Sequence, residues 1–245
     1  MKVIGVIPAR YASTRFPGKV LAAICGRPMV EWVWRGASEA KRLNELLIAT
    51  EEEIVALAAR RFGARVEITR ADHECGTDRL GEIAERFKAD YYVNIQGDEP
   101  LVRGDAIDAL VDTVVSERAD MGTLAYRIGK TDGDVKILEQ PQCVKVVTNR
   151  NDYALYFSRF PIPFPRSIVH AEYKVHIGIY MYSRDTLLKL CSLERTPLEM
   201  AESLEQLRAL ENGIRIKVIE TDYRPIAVDT PDDLDRAESA MKQRN

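Results

Sequence analysis

Val3-Ile4-Gly5-Val6-Ile7-Pro8, leading into Ala9-Arg10-Tyr11-Ala12-Ser13-Thr14-Arg15-Phe16-Pro17-Gly18-Lys19, sets how the rest of the chain is read. A short β-branched run closed by a proline predicts a buried strand. Beyond the proline comes a loop of small residues carrying three cations, Arg10, Arg15 and Lys19. Small residues let backbone N–H groups approach a ligand closely, and fixed positive charge suits an anion. At the carboxyl end of a first strand such a loop is well placed to hold a triphosphate; a solvated basic surface loop is the plainer alternative. The stretch is neither G-x-x-x-x-G-K-[ST] nor G-x-G-x-x-G, which weighs against ordinary ATPases and dinucleotide dehydrogenases.

The 245 residues are enough for one large domain, and 46% hydrophobic with 30% charged residues allow a proper core and a solvated surface. A formal charge of −3 and a pI near 5.8 give no overall attraction to nucleic acid or to an anionic membrane, so positive charge must act locally. No apolar run approaches a membrane span, and the first residues enter a strand directly, so neither membrane insertion nor a signal peptide is expected. Cys25, Cys75, Cys143 and Cys191 lack C-x-x-C spacing, and His73, His170 and His176 are dispersed, which fits neither a disulfide framework nor a zinc site. The cytoplasm is the expected compartment.

Strand and helix signals alternate through the first half. Strands are predicted at Leu46–Ala49, Val66–Ile68 and Tyr91–Ile95, and helices at Met29–Lys41, Glu51–Phe62, Thr77–Phe87 and Arg103–Glu117. This order predicts a parallel sheet covered on both faces. From about Met121 short strand-like runs dominate, with Pro161, Pro163 and Pro165 marking an extended crossing. Helices are predicted again at Arg184–Leu190, Leu198–Glu211 and from Pro231, with a strand at Ile216–Ile219.

Asn94-Ile95-Gln96-Gly97-Asp98-Glu99-Pro100 falls at the carboxyl end of the fourth strand, where open α/β sheets bind ligands. A carboxylate facing a basic loop makes chemical sense when a divalent cation lies between it and phosphates, and Mg²⁺ takes one or two carboxylates plus phosphate oxygens. Asp98 is the candidate; the same residues also suit a plain turn. Asp229 precedes Thr230-Pro231-Asp232-Asp233, a helix-start pattern that accounts for Thr230 and Pro231 and leaves Asp229 over. In His73-Glu74-Cys75-Gly76-Thr77, Thr77 is the expected helix cap, and Gly76 could meet a flat base. His176, Gly178 and Tyr180 share one strand face by the period-two rule, and Arg159 suits bidentate recognition of a carboxylate.

Taken in order, these segments closely resemble the 3-deoxy-manno-octulosonate (Kdo) cytidylyltransferases. The resemblance runs from Ile7–Lys19 through Gly76-Thr77-Asp78-Arg79, Asn94–Pro100, Tyr156-Phe157-Ser158-Arg159, His176-Ile177-Gly178-Ile179-Tyr180 and Leu204-Glu205-Gln206-Leu207-Arg208 to Val228-Asp229-Thr230-Pro231. Cys75 stands where the family more often has serine, and Ala227 where glycine is common.

The resemblance implies a Rossmann-like nucleotidyltransferase fold, mostly parallel and flanked by helices, with a smaller mixed β subdomain that pairs two copies into a homodimer. The implied organisation is a single domain, 1–245, whose nucleotide-binding half is about 1–120 and whose sugar-binding and dimerisation half is about 121–245. It implies nucleotide contacts from Ala9, Arg10, Ser13, Arg15, Lys19, Gly76, Arg79 and Asp98. Arg10, Arg15 and Lys19 are expected on the CTP phosphates, and the segment around Ser13 and Arg79 beside the cytosine. Asp98 and Asp229 are expected on Mg²⁺, with Lys19, Asp98 and Asp229 as the catalytic set. Gln96, Arg159, His176, Tyr180, Glu205 and Gln206 are expected to line the Kdo pocket, where Arg159 and His176 would meet the anionic sugar. The implied reaction is CMP transfer from CTP to Kdo, releasing pyrophosphate. A cytidylyltransferase for 8-amino-Kdo or a sialic acid would share all but the sugar contacts. A metal-dependent glycosyltransferase would normally show Asp-x-Asp where this chain has Asp98-Glu99-Pro100.

Overall fold

The computed structural model describes residues 1–12, 16–73, 75–128, 136–166 and 172–244. Two compact units form, Met1–Asp108 with Arg224–Asn245, and Ala109–Tyr223. The division departs from sequence halves at about residue 120, because the C-terminal segment returns to the first unit. The reason is apolar packing: Val228, Ala237 and Met241 share a core with Ile24, Met29 and Leu101.

The first unit holds strands β1 (Val3–Pro8), β2 (Ala23–Ile24), β3 (Arg27–Pro28), β4 (Glu45–Thr50), β5 (Arg65–Ile68) and β6 (Tyr91–Asn94). Its main sheet is parallel: β6 pairs β1, β1 pairs β4 and β4 pairs β5. Strand β1 is flanked on both edges and buried from Val3 to Ile7, which is why it is a continuous apolar run with no polar alternation. The helices are α1 (Met29–Ser38), α2 (Glu53–Arg61) and α3 (Gly76–Arg86), and α4 (Gly104–Ser116) spans the division of the chain. Helix α1 buries Met29, Val30, Val33 and Ala37, one helical face.

The chain leaves β1 for β4 and β5 on one side, then returns to β6 on the other. That reversal creates a switch point beyond the carboxyl ends of β1 and β6, the usual ligand crevice of such sheets. Gly97 permits it: a Cβ there would lie 2.6 Å from the Pro8 carbonyl oxygen.

In the second unit β7 (Met121–Ile128), β8 (Lys145–Thr148), β9 (Ala154–Ser158), β10 (Tyr173–Ser183) and β11 (Ile216–Glu220) form a mixed sheet in the order β9-β8-β10-β7-β11. Only β7 and β11 pair in parallel. The helices are α5 (Arg184–Ser192), α6 (Pro197–Glu202) and α7 (Gln206–Glu211), and the first unit ends on α8 (Pro231–Arg244). The single helix expected over Leu198–Glu211 is two, because Ser203 adopts a left-handed conformation, φ 50° and ψ 50°. A buried bidentate pair, Arg208 Nε to Glu199 Oε2 at 2.8 Å and Nη2 to Oε1 at 2.5 Å, ties the two pieces together.

Candidate active site at the carboxyl ends of β1 and β6

Leaving β1, the loop bends back on itself. Gly18 N–H donates to the Tyr11 carbonyl, and Gly18 takes φ 71°, a region glycine enters without strain. A short 3₁₀ turn, Lys19–Leu21, comes next and points Lys19 inward. On the other side Val228 N–H donates to the Asp98 carbonyl, stitching the two acidic segments together. The result is a cleft of about 350 Å³ between Arg10, Ala12 and Lys19 on one wall and Gly76, Gln96, Asp98 and Asp229 on the other.

At its centre Lys19 Nζ donates to Asp98 Oδ2 at 2.7 Å, Asp229 Oδ1 at 2.9 Å and the Val228 carbonyl at 3.2 Å. Burial by itself would lower the Lys19 pKa; the field of Asp98 and hydrogen bonds to both carboxylates outweigh it, and the pKa is raised. The ammonium is therefore a fixed positive charge. Thr230 and Asp233 form the expected cap on α8, with Thr230 N–H and Asp229 N–H both donating to Asp233 Oδ2. Asp229 is thereby oriented without serving as the cap.

The remaining nucleotide candidates divide. Arg10 reaches across to the His73 carbonyl through Nη2, and Gly76 opens α3 at the cleft wall. Ala9 is fully buried, its N–H donating to the Ala49 carbonyl, so it shapes the loop. Arg79 faces inward: it is wholly buried, 2.6 Å from Glu51 and bonded to the Thr69 hydroxyl. Burial pushes its pKa down, opposed first by Glu51. It is thus placed as a strut beneath α3. The cap of α3 is Cys75, not Thr77: Asp78 accepts from Cys75 N–H at 3.3 Å, and Thr77 is buried in the first turn. Ser13 and Arg15 lie outside the described residues.

Gln96 lines the same cleft, whereas Arg159, His176, Tyr180, Glu205 and Gln206 belong to the second unit. His176 lies between Phe157 and Tyr180, ring centroids 5.2 Å away on each side, and shares a 3.0 Å hydrogen bond with the Thr123 hydroxyl. Burial lowers its pKa to about 3. At neutral pH the imidazole is uncharged, so toward an anionic sugar His176 offers a neutral hydrogen-bonding group. A register shift in β10 between Ile177 and Tyr180 does not separate the two rings. Tyr180 is pushed well above 10 by burial, with the Glu205 charge adding to the effect. Gln206 is buried, and its Nε2 finds no acceptor among the described residues, a donor suited to a ligand.

Arg159 does more than face solvent. Its Nε donates to the Glu202 carbonyl at 2.6 Å, Nη2 to the Ser203 carbonyl at 3.0 Å and Nη1 to the Pro141 carbonyl at 3.0 Å. The first two are carbonyls left over where α6 ends, so the guanidinium caps that helix. A guanidinium has five N–H groups, so about two remain, one on each terminal nitrogen. Sequence reasoning missed Glu202, whose carboxylate accepts from the Ser158 hydroxyl at 2.7 Å and from Arg159 N–H at 2.9 Å. It lies within a stretch whose pattern reads as continuous helix, and no local signal marks it.

Comparison with known proteins identifies the family. A family profile described as Cytidylyltransferase matches residues 4–216. A 3-deoxy-manno-octulosonate cytidylyltransferase of Solibacter usitatus is 51% identical, covering 98% of this chain and 95% of its own length. One from Geobacter metallireducens is 49% identical, covering 96% of each. Among solved structures, CMP:2-keto-3-deoxy-manno-octonic acid synthetase complexed with CTP superposes with a TM-score of 0.94 at 40% identity over 100% of both chains. The chain belongs to the cytidylyltransferase family, with the 3-deoxy-manno-octulosonate cytidylyltransferases.

Proposed function

We propose that this protein transfers CMP from CTP to Kdo, giving CMP-Kdo and pyrophosphate. The anomeric hydroxyl oxygen of Kdo forms a bond to the α-phosphorus as the bond from that phosphorus to the β-phosphate oxygen breaks. The hydroxyl proton passes to solvent water and pyrophosphate leaves. Such a transfer asks the protein to align the two oxygens and to stabilise charge rather than to form covalent intermediates. The observation that carries the reading is the Lys19 ammonium shared between Asp98 and Asp229 at the switch point.

Asp98 and Asp229 are brought together on the Lys19 ammonium beside the cleft. The chemistry of two carboxylates next to a phosphate site suits Mg²⁺, an ion held by one or two carboxylates and completed by phosphate oxygens. Asp98 and Asp229 would hold it, and when bound it neutralises phosphate charge and lowers the pKa of a nearby hydroxyl. Lys19 and Arg10 add fixed positive charge for the triphosphate, and Arg15 is proposed to do the same. Gly76 lines the cleft where the base is proposed to sit, and Ser13 is proposed to flank it. Arg159, Tyr180, Glu205 and Gln206 of the second unit are proposed to provide hydrogen bonds and charge for an anionic polyol, with His176 contributing a neutral ring. With its depressed pKa, His176 is too weak a base to take the hydroxyl proton at neutral pH.

We also propose a homodimer built on the second unit, which exposes Leu155, Phe160, Phe164 and Met200. A cytoplasmic setting suits four cysteines of which none is in a disulfide. No helix among the described residues is long and apolar enough to cross a membrane. The deciding experiment mixes the protein with CTP, Mg²⁺ and a panel of acidic sugars, and weighs the product. CMP-Kdo formed in preference to the CMP esters of 8-amino-Kdo and sialic acid supports the assignment. Preference for another sugar would reassign the substrate, and no sugar nucleotide at all would defeat the reading.

A further inference from the structure

Lys145, the first residue of β8, is fully buried, yet its ammonium hydrogen-bonds no carboxylate among the described residues. It donates to the Gln140 carbonyl at 3.3 Å and to the carbonyl of Arg159. Desolvation lowers its pKa, opposed by Cys143 and Glu202. A methionine would fill the same space without that cost, so a lysine here calls for something that only a donor can do.

The surrounding bonds say what that is. Lys145 is paired across the ladder with Ser158, the residue before Arg159. Its ammonium ties the Arg159 main chain to Gln140, while the Arg159 guanidinium reaches the carbonyl of the next residue, Pro141. One cation thus fixes both the backbone from which Arg159 projects and the segment against which its side chain rests. On the other side Glu202 accepts from Arg159 N–H and Ser158 Oγ. Buried networks of this kind specify one geometry, and breaking one member frees the rest.

We infer that Lys145 is a positioning residue for the sugar-acid site, holding Arg159 so that its remaining N–H groups face one direction. This rests on the reading that Arg159 binds the carboxylate of the sugar. The test is a double-mutant cycle on the full-length enzyme with Lys145→Met, Arg159→Ala and the pair, measuring KM for Kdo and for CTP separately. Lys145→Met should raise the Kdo KM by about tenfold or more and leave the CTP KM within about twofold, as for loss of one oriented charged contact. In the Arg159→Ala background it should add almost nothing. Lys145→Gln, which keeps a donor for one carbonyl, should restore part of the loss and serves where the methionine variant does not fold. Additive effects, equal damage to both substrates or an unchanged Kdo KM in Lys145→Met would overturn the role of Lys145. An unchanged Kdo KM in Arg159→Ala alone would overturn the sugar-acid reading beneath it, and the two failures are thereby distinct.

Discussion

Replacing His176 should remove a specific part of the protein's acid sensitivity. Its pKa falls from the ordinary 6.5 to about 3 because burial disfavours the charged ring. Between those values the unfolded chain binds a proton that the native state refuses, so stability is fully present above about 6.5 and is lost as pH falls toward about 3. At about pH 5 the unfolded histidine lies roughly 1.5 units below its pKa, which at about 1.36 kcal/mol per unit costs about 2 kcal/mol relative to neutral pH. The residue keeps some exposure, which screens the charge and makes this an upper limit. His176→Gln retains a polar partner for the Thr123 hydroxyl and cannot titrate. Urea unfolding of both proteins at neutral pH and at about pH 5 gives the difference directly. The wild type should lose up to about 2 kcal/mol more than the variant. Equal losses in the two proteins would show that His176 titrates normally in the native state, and the account of a neutral ring in the proposed sugar site would be wrong.

The proposed sugar site and the second unit lead to further expected outcomes. Arg159→Ala should raise the KM for Kdo at least about tenfold with much less effect on CTP, whereas Arg15→Ala should damage CTP use first; steady-state kinetics varying each substrate against excess of the other decides it. The same Arg159 variant uncaps α6, so its melting temperature should also fall by a few degrees, reflecting about 1 kcal/mol. Sedimentation should give a dimer at micromolar concentration; a monomer throughout would remove the pairing role from the exposed apolar side chains of the second unit.

The first unit is legible in the sequence because its strands announce themselves. Val3–Ile7 is buried on both faces, and only a parallel, covered strand carries such a run. Asp98 and Asp229 are readable as acids at strand ends, but their meeting on Lys19 is a product of the chain's return in Val228, which no local pattern encodes. The break at Ser203 is invisible because apolar spacing continues across it; a left-handed serine is a tertiary outcome, supported by the Arg159 cap and the Glu199–Arg208 pair. Thr77 attracts the assignment of cap because cysteine is an uncommon one, yet Asp78 completes the box with Cys75. Lys145, in Val144-Lys145-Val146-Val147, sits in a strand pattern where a lysine suggests a solvent-facing position. Its burial depends on carbonyls from distant segments. The protonation of His176 is hidden for the same reason: the sequence states the residue, and the enclosure decides its charge.

Pyrophosphate release from CTP and Kdo, measured in the wild type, Asp98→Asn and Asp229→Asn with folding checked by circular dichroism, tests the central claim most directly. An amide keeps the size of the side chain and loses the charge, so each variant should stay folded and lose about 100-fold or more in kcat, the scale of a missing electrostatic stabiliser. Near wild-type release in either folded variant at saturating Mg²⁺ would contradict the assignment of Lys19, Asp98 and Asp229 as the centre of the reaction.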